Sequence, residues 1–194
     1  MNLTAFGVLA LRAAGYSSAA AVVRGADEWL ERQQEGDGGF GYSARTPGGG
    51  GSDVDDTGAV LQALAAGGAA RGSVVARAVA FIRSAQNRDG GLPEQPGGGS
   101  NAQSTAWAIQ GLAAVGVEAS HVSRHGSRSP LAYLESLIGP AGSVRYSAGD
   151  EQTPVWVTAE ALIALAGKAF PLPGPGAADT EPRDAGAAST SRRR

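Results

Sequence analysis

Asp53, Asp55 and Asp56, set in Ser52-Asp53-Val54-Asp55-Asp56-Thr57, are the one dense cluster of chemistry-bearing side chains in the sequence. Adjacent carboxyls in a water-poor site cannot all ionise together, so one of them holds a proton that it can donate. A donor of that kind does general-acid work on a weakly basic substrate. The same residues also suit a helix start. Ser52 to Asp55 reads as a capping box with Asp in place of the usual Glu or Gln, and acids favour a first helical turn. Ser100-Asn101-Ala102-Gln103-Ser104-Thr105 has the serine without the acids, and Pro154-Val155-Trp156-Val157 and Met1-Asn2-Leu3 have no acid. A cap is therefore general to the loop-led segments, while the triple acid belongs to one. Capping and proton donation both stay open.

Trp107 and Trp156 open apolar segments near the level of the acids, where they would line a cavity or simply pack. Asp37 and Asp89 lie in Asp-Gly-Gly turns. His121 and His125 have the spacing of a metal pair on a helix, but Ser120, Ser123, Arg124, Gly126 and Arg128 around them read as a solvated loop. With no cysteine, thiolate metal sites, thiol nucleophiles and disulfides are excluded.

The elements that must position these residues repeat. Thr4, Thr57, Thr105 and Thr158 each open a segment of the form Thr, small, any, small or Val, aliphatic, any, small, Leu, at intervals of 53, 48 and 53 residues. Between them Trp29-Leu30, Phe81-Ile82 and Tyr133-Leu134 recur every 52 residues as core anchors. The first two of these segments end in turns, Gln34-Glu35-Gly36-Asp37-Gly38-Gly39-Phe40 and Gln86-Asn87-Arg88-Asp89-Gly90-Gly91-Leu92. A third copy, Ile138 to Val144, keeps Gly142 and Val144. Two helices in each repeat of about 50 residues make an array of stacked helical hairpins.

Helices are expected over 3–15, from Ser17 or Ser18 as cap to about Gln34, then over 54–66, 73–87, 102–115 and 130–138, and from Pro154 to near Gly167. A flexible loop is expected over 41–51. From Pro171 the Pro, Gly, Ala and Ser content reads as a disordered tail ending in Arg192-Arg193-Arg194.

The apolar fraction of 42% supports a packed core over most of the 194 residues. A net charge of −2 offers no electrostatic reason to expect nucleic acid. No apolar run reaches the roughly 20 residues of a membrane span. The first fifteen residues lack a basic n-region and fit the repeat, so they read as a structural helix. A cytoplasmic or membrane-peripheral location is the default, and the compartment is otherwise unset.

The alternating helices and Gln-x-x-Asp-Gly-Gly-Phe turns resemble the α/α toroid of squalene and terpene cyclases and of protein prenyltransferase β-subunits, over residues 1 to about 170. Asp53-Val54-Asp55-Asp56-Thr57 is similar to the Asp-x-Asp-Asp-Thr (DxDD) motif of class II cyclases. The resemblance implies an all-α fold of helical-hairpin repeats of the (α/α)6 toroid type. Seven helices would make it incomplete, a little over half a ring. Residues 1–170 would be the toroid repeats and 171–194 the tail.

By the same resemblance Asp55 would protonate a polyprenoid alkene and launch a cyclisation, with Asp53 and Asp56 flanking it and Trp107 and Trp156 against the substrate. No cofactor or metal is implied, since the zinc site of prenyltransferases needs a cysteine. The alternative is a non-catalytic repeat module binding a hydrophobic ligand or a protein partner. Either way the chain reads as an incomplete or truncated family member, and self-association is one way to complete the ring.

Overall fold

A computed structural model describes residues 2–44 and 51–173. It contains seven α-helices: α1 (Asn2–Ala13), α2 (Ala21–Arg32), α3 (Val54–Gly67), α4 (Gly72–Ala85), α5 (Ala102–Ala114), α6 (Pro130–Glu135) and α7 (Pro154–Leu165). A 3-10 turn, Ala119–His121, interrupts the segment expected to be loop. Among the described residues there are no strands, only isolated bridges such as Phe40 with Asp53 and Leu92 with Asn101. Residues 45–50 of the expected loop, and 174–194 of the expected tail, lie outside the described residues.

The threonine-led helices form one row, in which α3 packs between α1 and α5, and α5 between α3 and α7. The alternating helices form a second layer, with α2 against α1 and α3, α4 against α3, and α6 against α5 and α7. Composition explains the division. Neither α3 nor α5 carries a lysine or arginine, and both are buried on nearly every side. α2 carries Arg24, Glu28, Glu31 and Arg32 and buries only Val23, Asp27 and Leu30.

Small residues set the spacing of the inner row. A Cβ on Gly58 would stand 2.4 Å from the Trp107 carbonyl oxygen, and one on Gly111 would stand 2.8 Å from the Gly58 Cα. α3 and α5 therefore cross backbone against backbone, which a larger side chain at either position would prevent.

The repeated polar residues pin the hairpins together. Thr57 Oγ1 accepts from the Phe40 N–H at 2.9 Å and donates to the Asp53 carbonyl at 2.6 Å. Thr105 repeats this with Leu92 and Asn101, and Thr158 accepts from Val144. Gln34 Nε2 donates to the carbonyls of Gly38 and Val74, and Gln86 Nε2 to those of Gly90 and Arg128. Each glutamine thus ties its own turn to the chain entering the next outer helix. Gly38 and Gly90 have φ of 93° and 92°, and a Cβ on either would meet the carbonyl of Arg77 or Arg128. The third turn keeps the pattern through the Gly139 N–H bonded to Ser143 O and a Gly142 φ of 87°.

Two expected caps differ. Ser17 and Ser18 do not cap α2, whose N-cap is Ala20 with no side-chain bond. Ser52 does not cap α3. Its hydroxyl donates to Asp37 Oδ1 at 2.6 Å, as Ser100 donates to Asp89, so both serines close the Asp-Gly-Gly turns. The caps lie one residue later, at Asp53 and Asn101.

Candidate acid site at the start of α3

The three acids have three different environments. Asp53 is the N-cap of α3, and its side chain accepts from the Asp56 N–H at 2.6 Å. Its own N–H donates to Phe40 O. Asn101 does the same work for α5, accepting from the Ser104 N–H at 2.8 Å. Burial raises the Asp53 proton affinity, the Asp56 N–H opposes the rise, and the carboxylates of Asp56 and Asp55 reinforce it.

Asp55 stands where α5 has Gln103, and Asp56 where α5 has Ser104. Asp55 is pushed up to about 6, chiefly by burial. A hydrogen bond from Ser104 lowers it, and repulsion from Glu94, Glu160 and Asp56 raises it. Ser104 Oγ itself accepts from Asn101 Nδ2 at 3.0 Å, which leaves its hydroxyl hydrogen for Asp55. The Oδ1 atoms of Asp55 and of Asp56 are buried without a hydrogen-bond partner. In Asp55 the unpartnered buried oxygen favours the protonated form, because ionisation there gains no compensating bond.

Asp55 and Asp56 line a cleft of about 140 Å³ together with Phe6, Ala59 and Trp107. Phe6 and Trp107 also line an adjoining groove of about 500 Å³, bounded by Leu9, Ala10, Ala13, Phe170, Pro171 and Leu172. The two rings lie 5.7 Å apart at 58°, and Trp107 meets Phe170 at 6.3 Å. Acid groups thus stand at one end of an apolar groove floored by aromatic faces. Such a groove is within the size range of small-molecule sites, and ring faces stabilise a passing cation.

Of the sequence-predicted residues, Asp55, Asp56 and Trp107 come together, with Asp53 behind them as cap. Trp156 does not join the cleft. It is 64% exposed and donates from Nε1 to Glu160 Oε1 at 2.6 Å. Glu160 also accepts from Gln103 at 2.9 Å, so Trp156 touches a carboxylate that repels Asp55. His121 is exposed and lies 3.4 Å from Glu118.

Three contributors to the site were missed, and one buried acid outside it. Phe6 lay in plain view on the repeat at the position of Trp107. Ser104 looked like an ordinary first-turn residue. Phe170 comes from beyond the repeat, and its N–H donates to Gln62 Oε1 at 2.8 Å. Asp27 is buried under Gly67 in a separate cleft of about 340 Å³, and burial pushes its carboxyl up to about 6. Its signal was an acid two residues before the anchor Trp29, where the other copies have Val79 and Leu131.

Residues 3–96 match the family model of the squalene-hopene cyclase C-terminal domain. No curated protein matches the chain. A crystal structure of a protein from Actinoplanes matches with 18% identity and a TM-score of 0.38, covering 75% of this chain. The chain spans 58% of the length of that protein. Within the seven-helix array, residues 3–96 are thus similar to the squalene-hopene cyclase C-terminal domain, which is consistent with a partial squalene/terpene cyclase-like repeat family.

Proposed function

We propose that this chain binds a polyprenoid-like hydrocarbon in the groove between α1, α5 and residues 170–172, with Asp55 as proton donor in a class II cyclisation. The observation that supports it is the placing of Asp55, with an unpartnered buried oxygen, beside Phe6 and Trp107 at the groove's end. In the reaction the carboxyl O–H bond breaks and a C–H bond forms at the less substituted alkene carbon. The alkene electron pair is consumed, positive charge appears on the more substituted carbon, and Asp55 is left as carboxylate. Successive alkenes attack the cation to form ring bonds, and loss of a proton or capture of water ends the sequence. Phe6 and Trp107 face the developing charge. Asp53 caps the helix that carries the acid, and Asp56 adds charge that discourages ionisation of Asp55. Trp156 acts through Glu160. No cofactor takes part. Self-association belongs to the same reading, since a carbocation survives only where water is kept out.

A second reading, a hydrophobic-ligand or partner-binding module without turnover, is favoured by one observation. Phe170 already covers Trp107, held by its bond to Gln62. The test is incubation of the purified protein with squalene and shorter polyprenoids beside the Asp55→Asn variant. Cyclised product from the unmutated chain alone supports the enzyme. Equal product from both removes Asp55 from the mechanism, and no product from either, with a helical spectrum retained, supports the binding module.

A further inference from the structure

Asp27 is a buried acid inside α2, where it caps no helix. It is 3% exposed, its Oδ1 is buried without a hydrogen-bond partner, and it lines the cleft of about 340 Å³ between α2 and the chain that leaves α3. Burial and the nearby Glu31 push its carboxyl up to about 6, while Arg12 opposes the rise, so the group is mostly ionised at neutral pH. A buried ionised oxygen without a donor costs stability, and the repeat does not require one. The matching position in α6 is Leu131, which lines a cleft of about 390 Å³ with Ile109, Val117, Ala164 and Leu165. There the hairpin is held by mainly aliphatic side chains.

A second exception accompanies the first. The Asp27 carboxyl lies against Gly67, where a Cβ would stand 2.0 Å from Oδ2 and 2.4 Å from Oδ1. Gly67 comes ten residues after the template threonine, where the other copies have Val115 and Lys168. The acid is therefore present in the repeat whose facing position has no side chain to displace it.

The charges around the cleft specify what the carboxylate lacks. Glu28 and Glu31 share the lining with Asp27, and Arg24 and Arg71 stand against them. Arg24 donates to the Ala19 carbonyl, and Arg12 to the carbonyls of Ala66 and Tyr16, so both guanidinium groups are engaged with backbone. Among the described residues no three His, Cys, Asp or Glu side chains are placed to hold a metal ion. What fits is a cation that brings its own N–H donors and a small apolar body. We propose that this cleft binds a small primary ammonium ion, which donates to Asp27 and lays its hydrocarbon part against Ala19 and Ala69. The site is separate from the groove at Asp55 and does not depend on turnover there.

The experiment titrates butylammonium into the full chain and follows the Asp27 carboxyl carbon by NMR, beside tetramethylammonium, which carries the charge without an N–H. Butylammonium is expected to shift the resonance saturably, and tetramethylammonium to leave it in place. By calorimetry Asp27→Asn, checked for an unchanged helical circular dichroism spectrum, is expected to weaken butylammonium binding by about tenfold or more. Glu28→Gln, at an exposed position, is expected to weaken it by about twofold at most. No saturable shift, an equal response to tetramethylammonium, undiminished binding by Asp27→Asn, or a loss as large from Glu28→Gln would each overturn the proposal.

Discussion

Ser104 on α5 acts on the Asp55 carboxyl across the boundary with α3 and lowers its proton affinity, so the site's acid is governed partly by a neighbouring repeat. The Ser104 hydroxyl favours the ionised acid, while burial and the carboxylates of Glu94, Glu160 and Asp56 favour the neutral one. Ser104→Ala removes the first effect and leaves the others. The Asp55 titration, followed by carboxyl-carbon NMR, is expected to move upward from about 6. A midpoint that stays in place or falls would show that Ser104 does not control the acid.

The raised carboxyls also set a pH dependence. Asp27 and Asp55 are each pushed from 3.8 to about 6 in the folded chain, so the native state binds protons that the unfolded state releases between those values. Their contribution to stability is full below about 3.8 and is lost as pH rises through about 6. Asp27→Asn keeps the shape beside Gly67 without the charge. It is expected to raise stability at neutral pH by on the order of 1 kcal/mol, after discounting for solvent screening, and to flatten the fall between acid and neutral pH. Urea denaturation across that range measures both. Product formation is expected to decline above about pH 6, where Asp55 gives up its proton.

The threonine pins give a stability test that does not involve the acids. Thr105→Val removes the acceptor of the Leu92 N–H, a buried donor with no other bond on its own turn. The expected loss is about 1–3 kcal/mol, the cost of leaving a buried donor unsatisfied. Chemical denaturation measures it, and a change near zero would mean that the turn finds another acceptor.

Two glycines on helices should respond in opposite directions to the same substitution. Gly58→Ala would place a methyl 2.4 Å from the Trp107 carbonyl oxygen, forcing α3 and α5 apart at a cost of about 1–3 kcal/mol. Gly25→Ala on α2 meets nothing within 4 Å and should stabilise by about 0.4–1 kcal/mol through the unfolded chain. Thermal unfolding of the two variants separates close packing from helix propensity.

The helices and turns were legible because repetition supplies its own control. Thr57, Thr105 and Thr158 recur at one place in the template, and all three accept a hydrogen bond from the preceding turn. Gln34 and Gln86 behave likewise. The cap was misplaced by one residue because serine and aspartate are both good caps, and spacing alone cannot say that Ser52 is taken by Asp37. Trp156 shared the helix-start position of other candidates, but α7 turns it outward. Phe170 was beyond reach of local pattern, because its bond to Gln62 joins residues 108 positions apart. Asp27 sits among the charged residues of an outer helix, where an acid is ordinary, and only comparison with Val79 and Leu131 marks it as an exception.

The most direct test of Asp55 as proton donor is incubation with squalene in heavy water, followed by mass spectrometry of the cyclised product. A proton delivered from a solvent-exchanged carboxyl leaves one deuterium in each product molecule, and the Asp55→Asn variant yields none of that product. Product lacking deuterium, labelled product from Asp55→Asn, or no product from the unmutated chain would contradict the account.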